Sequence, residues 1–143
     1  MKHGIVDGAL DLEAIRRAVA APGRGAVVLF LGGVRDRHQG AVVAGIDYTA
    51  YRSMAERVLA GIVADLEREH AADDLALAIV HRIGGLAPGE ISIVIASASA
   101  HRTAAYEANR RALERVKREA PIWKRERYAD GTARWRQEEP LTT

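Results

Sequence analysis

Apolar residues recur along the chain with two periods, and each period predicts a different kind of element. Spacings of three and four residues predict three amphipathic helices: one begins after a cap at Asp11, one covers residues 51–70, and one begins near residues 99–101. Pro121 ends the third helix, because proline lacks a backbone donor and disfavours helical geometry in the residue before it.

Alternating and β-branched runs predict six strands arranged as three hairpins. The runs GAVVLFLGGVR and AVVAGIDYTAY are expected to pair through the turn DRHQG, and LALAIVHRIGGL is followed by EISIVIASAS after two glycine-containing turns. A third hairpin joins IWKRERY to the next run through Asp130-Gly131. The order α-ββ-α-ββ-α-ββ predicts an α+β fold with a largely antiparallel sheet.

The length and composition fit a single soluble domain. A chain of 143 residues has the length of a typical single domain, so residues 1–143 are expected to form one domain. No run approaches the roughly 20 apolar residues that a membrane span needs, so no membrane association is predicted. Asp7, Asp11 and Glu13 argue against a secretory signal, and a cytoplasmic location is expected.

The sequence contains no cysteine. This excludes disulfides, thiolate metal sites and a persulfide carried by the protein itself, so any sulfur that the protein handles must arrive on a partner or a substrate. No HExxH, P-loop, GxSxG or Rossmann glycine pattern is present either. Metal, nucleotide and serine-hydrolase chemistry therefore lose support, and no cofactor is predicted.

Basic residues concentrate between residues 101 and 128, although the net charge of the whole chain is only +2. That segment holds four glutamates against nine basic residues: Arg102, Arg110, Arg111, Arg115, Lys117, Arg118, Lys124, Arg125 and Arg127. Two interpretations follow from this pattern. The basic residues line the solvated face of a helix, or some of them bind an anionic ligand.

Lys117 and Lys124 lie on opposite sides of the break at Pro121. Lys117 belongs to the last helical turn and Lys124 to the extended segment that follows, so only tertiary structure can bring the two amines together. As surface residues, Lys117 would complement the helix dipole and Lys124 would cover a sheet edge. Alternatively, nearby guanidinium groups destabilise the charged form of a lysine and leave a free amine for nucleophilic or base chemistry.

Arginines and histidines at the ends of elements are candidates for anion binding. Arg35, Arg102 and Arg125 can clamp a phosphate or carboxylate through their planar guanidinium groups while a lysine performs the chemistry. His101 and Arg102 come where a strand gives way to a helix, where backbone donors favour an anion; the alternative is a plain helix cap. His81 follows a buried run and is interpreted as a structural histidine.

Five strings resemble, in chain order, the large, catalytic subunit of molybdopterin synthase. They are GAVVLFLGGVRDRHQG, YTAYRSMAE, HRIGGLAPGE, SASAHRTAAYEA and KREAPIWKRERYADGTARW, and together they cover about residues 25–135. The element APIWKRE with its upstream lysine and the HR before the helix are together specific for that family. The resemblance implies its α/β hammerhead fold.

The resemblance implies an enzyme of molybdenum cofactor biosynthesis. In the family, a homodimer of large subunits binds small ubiquitin-like sulfur-carrier subunits to give a heterotetramer. The C-terminal thiocarboxylate of the small subunit donates sulfur to cyclic pyranopterin monophosphate, and two transfers make the dithiolene of molybdopterin. The absence of cysteine agrees with a sulfur atom that arrives on a carrier. No nucleic acid partner is implied.

The resemblance also implies site residues. Lys117 and Lys124 match the catalytic lysines of the family, and its substrate site is matched by Gly33, Val34, Arg35, His101, Arg102, Arg125 and Glu126. We expect Arg35, His101 and Arg102 to anchor the phosphate of the substrate. Lys117 is then expected to act as a base or transient nucleophile, and Lys124 to stabilise developing negative charge.

Two other functions stay open on the sequence. A basic binding module would hold RNA or an acidic protein tail without catalysis, but only seven aromatic residues (one Phe, two Trp, four Tyr) are available for base stacking. An inactive scaffold would hold the small subunit while another protein performs the chemistry.

Overall fold

The computed structural model describes residues 2–136, and this part of the chain forms two sheets and three α-helices. In chain order the elements are β1 (His3–Val6), α1 (Leu12–Val19), β2 (Ala26–Gly33), β3 (Arg37–His38), β4 (Ala41–Ala50), α2 (Arg52–Glu69), a 3-10 turn (Ala71–Asp73), β5 (Ala76–Arg82), β6 (Gly84–Leu86), β7 (Ile91–Ser99), α3 (Arg102–Glu119), β8 (Ile122–Tyr128) and β9 (Ala133–Arg136). The predicted α+β class is confirmed.

The first sheet has the strand order β1-β5-β7-β2, with β1 parallel to β5 and the other pairs antiparallel. Short helix α1 covers one face through Ile15 and Val19, which pack on the small residues of β5 and β7. Helices α2 and α3 cover the other face, where Leu59 and Ile62 meet Ile79 in the larger apolar cluster. Strands β5 and β7 are therefore buried on both faces, which explains their nearly unbroken apolar runs.

The second sheet has the order β3-β4-β8-β9, and β6 also pairs with β4. Its inner face contributes Ile46, Tyr48 and Ile122 to the same large cluster that α2 and α3 cover. Both sheets and both long helices therefore share one core. The predicted hairpin at Asp130-Gly131 is confirmed, since β8 and β9 pair antiparallel on either side of it.

The predicted hairpin between the strands now called β2 and β4 is wrong, because β2 pairs with β7 in the first sheet and β4 with β8 in the second. The turn DRHQG does close a hairpin, but it joins β3 to β4 through Gln39 and Gly40, both at positive φ. After β2, Val34 accepts a hydrogen bond from the backbone of Gly89 (2.8 Å) and donates one to Glu90 (3.0 Å). These bonds direct the chain into the other sheet.

Strands β1, β3 and β6 were not predicted. Each has two to four residues, so none is long enough to show a period of two. Gly84-Gly85 was interpreted as a turn, whereas β6 pairs there with Asp47 and Tyr48 of β4. Glycine in a strand allows the close backbone approach that this pairing needs.

A buried asparagine ties α3 to the first sheet. The side-chain amide of Asn109 donates to the backbone carbonyls of Val28 (3.2 Å) and Ile95 (3.0 Å) and to Ser97 Oγ (3.1 Å). Ser97 Oγ in turn donates to the carbonyl of Ala105 on the helix (2.6 Å). Because these groups are shielded from water, the bonds satisfy the side-chain amide of Asn109 and the hydroxyl of Ser97 within the protein.

We expect Asn109→Ala to lower the free energy of unfolding by about 1–3 kcal/mol, because it removes the donor of buried acceptors in β2 and β7. Urea unfolding followed by circular dichroism measures this. Arg110→Ala is the matched control: Arg110 is exposed and pairs only with Glu114 among the contacts described, so a loss below about 0.5 kcal/mol is expected. Equal losses in the two variants would contradict the role given to Asn109.

Candidate active site

The turn between α3 and β8 determines where the two lysines lie. Helix α3 ends at Glu119, and Ala120 adopts an extended conformation (ψ 130°) before Pro121. The carbonyl of Pro121 accepts a hydrogen bond from the backbone of Tyr51 (3.1 Å), which fixes the turn to the start of α2. The chain reverses within a few residues, so the predicted break in the helix is confirmed.

Lys117 and Lys124 line the same cavity, which has a volume of about 130 Å³. Both lysines of the predicted pair therefore border one cavity. Lys117 comes from the last turn of α3 and Lys124 from β8, where it pairs directly with Tyr48 of β4. Other polar or open positions around the cavity are Gly32, Gly33, Tyr48, His81 and Ser92. The cavity is closed by apolar side chains of β2, β7 and α3.

His81 is a site residue that sequence reasoning missed. It is buried, as predicted for a structural histidine, yet it also lines the cavity of the two lysines. Its Nδ1 lies 2.7 Å from the carbonyl oxygen of Arg82, and its ring meets that of Tyr48 edge to face at 5.1 Å. Because a carbonyl only accepts, Nδ1 carries the proton. Its place at the end of a strand, before two glycines, was the available signal.

Gly32 and Gly33, the last two residues of β2, form one side of the cavity. A Cβ added to Gly32 would lie 2.6 Å from the side chain of Ile93, so close packing of β2 on β7 requires glycine there. Gly33, a predicted site residue, lines the cavity, and a Cβ added there would lie in ordinary van der Waals contact with the carbonyl oxygen of Glu90 (3.8 Å). The next two predicted residues diverge: Val34 is buried away from the cavity, whereas Arg35 is exposed.

Arg125 and Glu126 do not line the cavity. Side chains alternate along β8, so Arg125 lies on the face opposite Lys124, where it approaches Asp47 (3.8 Å). Glu126 is on the same face as Lys124 but is buried, and it accepts a hydrogen bond from Tyr128 (3.0 Å) and pairs with Arg136 (3.3 Å). Its carboxylate thus joins β8 to β9.

His101 and Arg102 lie at the opposite end of α3 from Lys117. At 1.5 Å per residue, the helix separates Arg102 from Lys117 by about 22 Å. Within one chain, therefore, neither residue reaches the cavity. His101 is held instead by Asp73, whose carboxylate lies 3.1 Å from Nδ1 and 3.2 Å from the backbone nitrogen of His101.

Most of the basic residues on α3 are paired with carboxylates. Arg115 bonds Asp65 on α2 (2.8 Å) and Glu119 (2.7 Å), and the hydrogen bond from Arg115 holds the pKa of each carboxyl below its usual value. Arg111 pairs with Glu69 of α2 in the same way. Arg111 and Arg115 therefore connect the two long helices, a role that neither the solvated-face nor the anion-binding interpretation predicted.

Within residues 2–136, no group of three or more His, Cys, Asp or Glu side chains is placed to hold a metal ion. No helix in that part of the chain is long and apolar enough to cross a membrane. The cytoplasmic location stays a prediction.

Comparison with known proteins gives consistent matches. The family model described as "MoaE protein" matches residues 5–119. The molybdopterin synthase catalytic subunit of Bacillus subtilis is 43% identical over 122 residues, which are 85% of this chain and 76% of that protein. Catalytic subunit 1 of the same enzyme from Mycobacterium tuberculosis is 36% identical over 92% of this chain and 87% of that protein.

Solved structures agree in fold. Molybdopterin synthase from Staphylococcus aureus superposes with a TM-score of 0.90 at 37% identity, covering 95% of this chain and 97% of that one. A chain in the complex of subunits 1 and 2 of the molybdopterin-converting factor from Helicobacter pylori shares the fold at 23% identity, with a TM-score of 0.79 and coverage of 97% and 92%. The chain described here therefore belongs to the MoaE family, the catalytic subunits of molybdopterin synthase.

Proposed function

We propose that this chain transfers sulfur from the C-terminal thiocarboxylate of a small ubiquitin-like subunit to cyclic pyranopterin monophosphate, forming the dithiolene of molybdopterin. The observation that carries the proposal is the shared cavity of Lys117 and Lys124. Two amines in a partly buried site suit a reaction whose donor is an anionic thiocarboxylate and whose acceptor carries a phosphate.

In each sulfur transfer, sulfur replaces an oxygen substituent on a carbon of the pyranopterin. The thiocarboxylate sulfur bonds to that carbon as the oxygen substituent leaves with a proton, and water then adds to the acyl carbon and breaks its bond to sulfur. The small subunit leaves with a C-terminal carboxylate. Lys117 acts at the acyl or pterin carbon as a base or transient nucleophile, and Lys124 stabilises the negative charge that develops on oxygen or sulfur.

The cavity of one chain lacks part of the predicted phosphate site. Among the described residues that line it, none is an arginine, although a guanidinium is the usual clamp for a phosphate. Arg35 follows the cavity residue Gly33 by two positions in the sequence and is exposed, but it does not line the cavity. His101 and Arg102 are too far along α3 to contribute to their own cavity.

A second copy of the chain would complete the site. If two chains pack so that the start of α3 in one lies against the cavity of the other, His101 and Arg102 of each copy meet the lysines of its partner. A two-fold dimer makes both sites identical. One small subunit bound at each cavity then gives the heterotetramer that the family resemblance implies.

Lys117→Ala tests the catalytic assignment. We expect molybdopterin formation to fall by about 100-fold or more in a reconstituted assay with thiocarboxylated small subunit, since a base or nucleophile is lost. The matched control is Arg118→Ala, the adjacent exposed residue, which contacts Glu119 at 3.7 Å and is expected to keep wild-type activity. Unchanged activity in Lys117→Ala would instead favour the scaffold or binding-module interpretation.

Mixing two inactive variants tests the shared site. Lys117→Ala and Arg102→Ala chains, unfolded and refolded together in equal amounts, should form mixed dimers in which one of the two cavities has both its lysine and its partner's arginine. Random pairing restores about a quarter of wild-type activity, because half of the dimers are mixed and each has one intact site. Activity no higher than that of the separate variants would contradict the dimeric site.

A further inference from the structure

Asp73 contacts the residues that begin α3 at three points. Its carboxylate lies 3.1 Å from Nδ1 of His101 and 3.2 Å from the backbone nitrogen of the same residue. Its own backbone carbonyl accepts a hydrogen bond from Ala100 (2.9 Å). Asp73 belongs to the 3-10 turn between α2 and β5, so it joins α3 to a part of the chain that is far away in sequence.

The geometry determines which nitrogen of His101 remains for a ligand. The hydrogen bonds from the side chain and then the backbone of His101 lower the pKa of Asp73, so the carboxylate is ionised at neutral pH and can only accept. Nδ1 of His101 must therefore carry the proton that is shared with Asp73. The side chain of His101 is 86% exposed in the single chain, which leaves Nε2 accessible from outside.

We propose that Asp73 is a positioning residue for catalysis: it fixes the ring of His101 and directs Nε2, a hydrogen-bond acceptor in this tautomer, toward a donor group of the substrate in the cavity of a second copy of the chain. The phosphate is then bound by Arg102 and not by His101. This inference rests on the function proposed above. An exposed histidine without such a partner samples several rotamers and both tautomers, and binding would have to select one of them. Asp73 makes that selection before the substrate arrives, which lowers the entropic cost of binding.

A purely structural role is the alternative, since Asp73 also accepts from the backbone at the start of α3. Asp73→Asn separates the two roles. The asparagine carbonyl can still accept from the backbone nitrogen of His101, but its amide group cannot accept from Nδ1–H and can donate to an unprotonated Nδ1. The substitution therefore moves the imidazole proton from Nδ1 to Nε2 while keeping the helix start intact.

Two measurements test the proposal. Nitrogen NMR of the imidazole should find the proton of His101 on Nδ1 in the wild-type chain and on Nε2 in Asp73→Asn. In the reconstituted assay, Asp73→Asn should lower kcat/KM about 10-fold with an unchanged melting temperature. In a His101→Ala background, Asp73→Asn should have no further effect on kcat/KM.

The control is Asp74→Asn. The carboxylate of Asp74 contacts Arg24 (3.3 Å) and not His101, so this variant should keep wild-type kcat/KM. An unchanged tautomer and activity in Asp73→Asn would overturn the proposal. So would an equal loss of activity from Asp73→Asn with and without His101, which would indicate a structural role. Full activity of His101→Ala would also overturn it, whereas loss in Lys117→Ala would leave the sulfur-transfer function standing.

Discussion

The active site depends on one constraint, the interruption of backbone geometry at Pro121. Without it, seven residues on a continuous helix would place Lys117 and Lys124 two turns apart, about 10 Å along one face. The extended residue before Pro121 instead reverses the chain, and the bond from Tyr51 fixes the turn against α2. One amine is then held by a helix and the other by a strand, both anchored in the same core. Pro121 thus determines how the two lysines are placed relative to each other.

The long helices and the break at Pro121 could be predicted from sequence because their signals are local, whereas the pairing of the two lysines was expected from the family resemblance. The helical periods of α2 and α3 and the proline break depend on neighbours within a few residues. The partner of β2 could not be predicted in this way. The apolar run of β2 is equally compatible with pairing to the next strand in a hairpin, and only the backbone bonds of Val34 direct the following strand into the other sheet. Pairing between distant strands is a tertiary property, and short strands such as β6 depend on it entirely.

The predicted site residues also differ in whether local sequence or tertiary structure determines their position. Gly33, Lys117 and Lys124 converge within one chain, whereas Arg125 is carried to the other face of β8 by the alternation of the strand. His81 was predicted to be structural and is also part of the cavity, because a residue at a strand end can be buried and still border a site. The position of His101 between a strand and a helix was predicted. Its contact with Asp73 was not, because the two residues are 28 positions apart and no local pattern relates them.

Helix α3 carries proposed site residues at both of its ends, and Asn109 holds it to the first sheet between them. In the proposed dimer its 18 residues would set a fixed distance between the two sites. Removing one residue would shorten that distance by only about 1.5 Å, but it would rotate one end relative to the other by about 100°. Natural variation in this family should consequently change the length of loops freely while leaving the residue count of this helix alone.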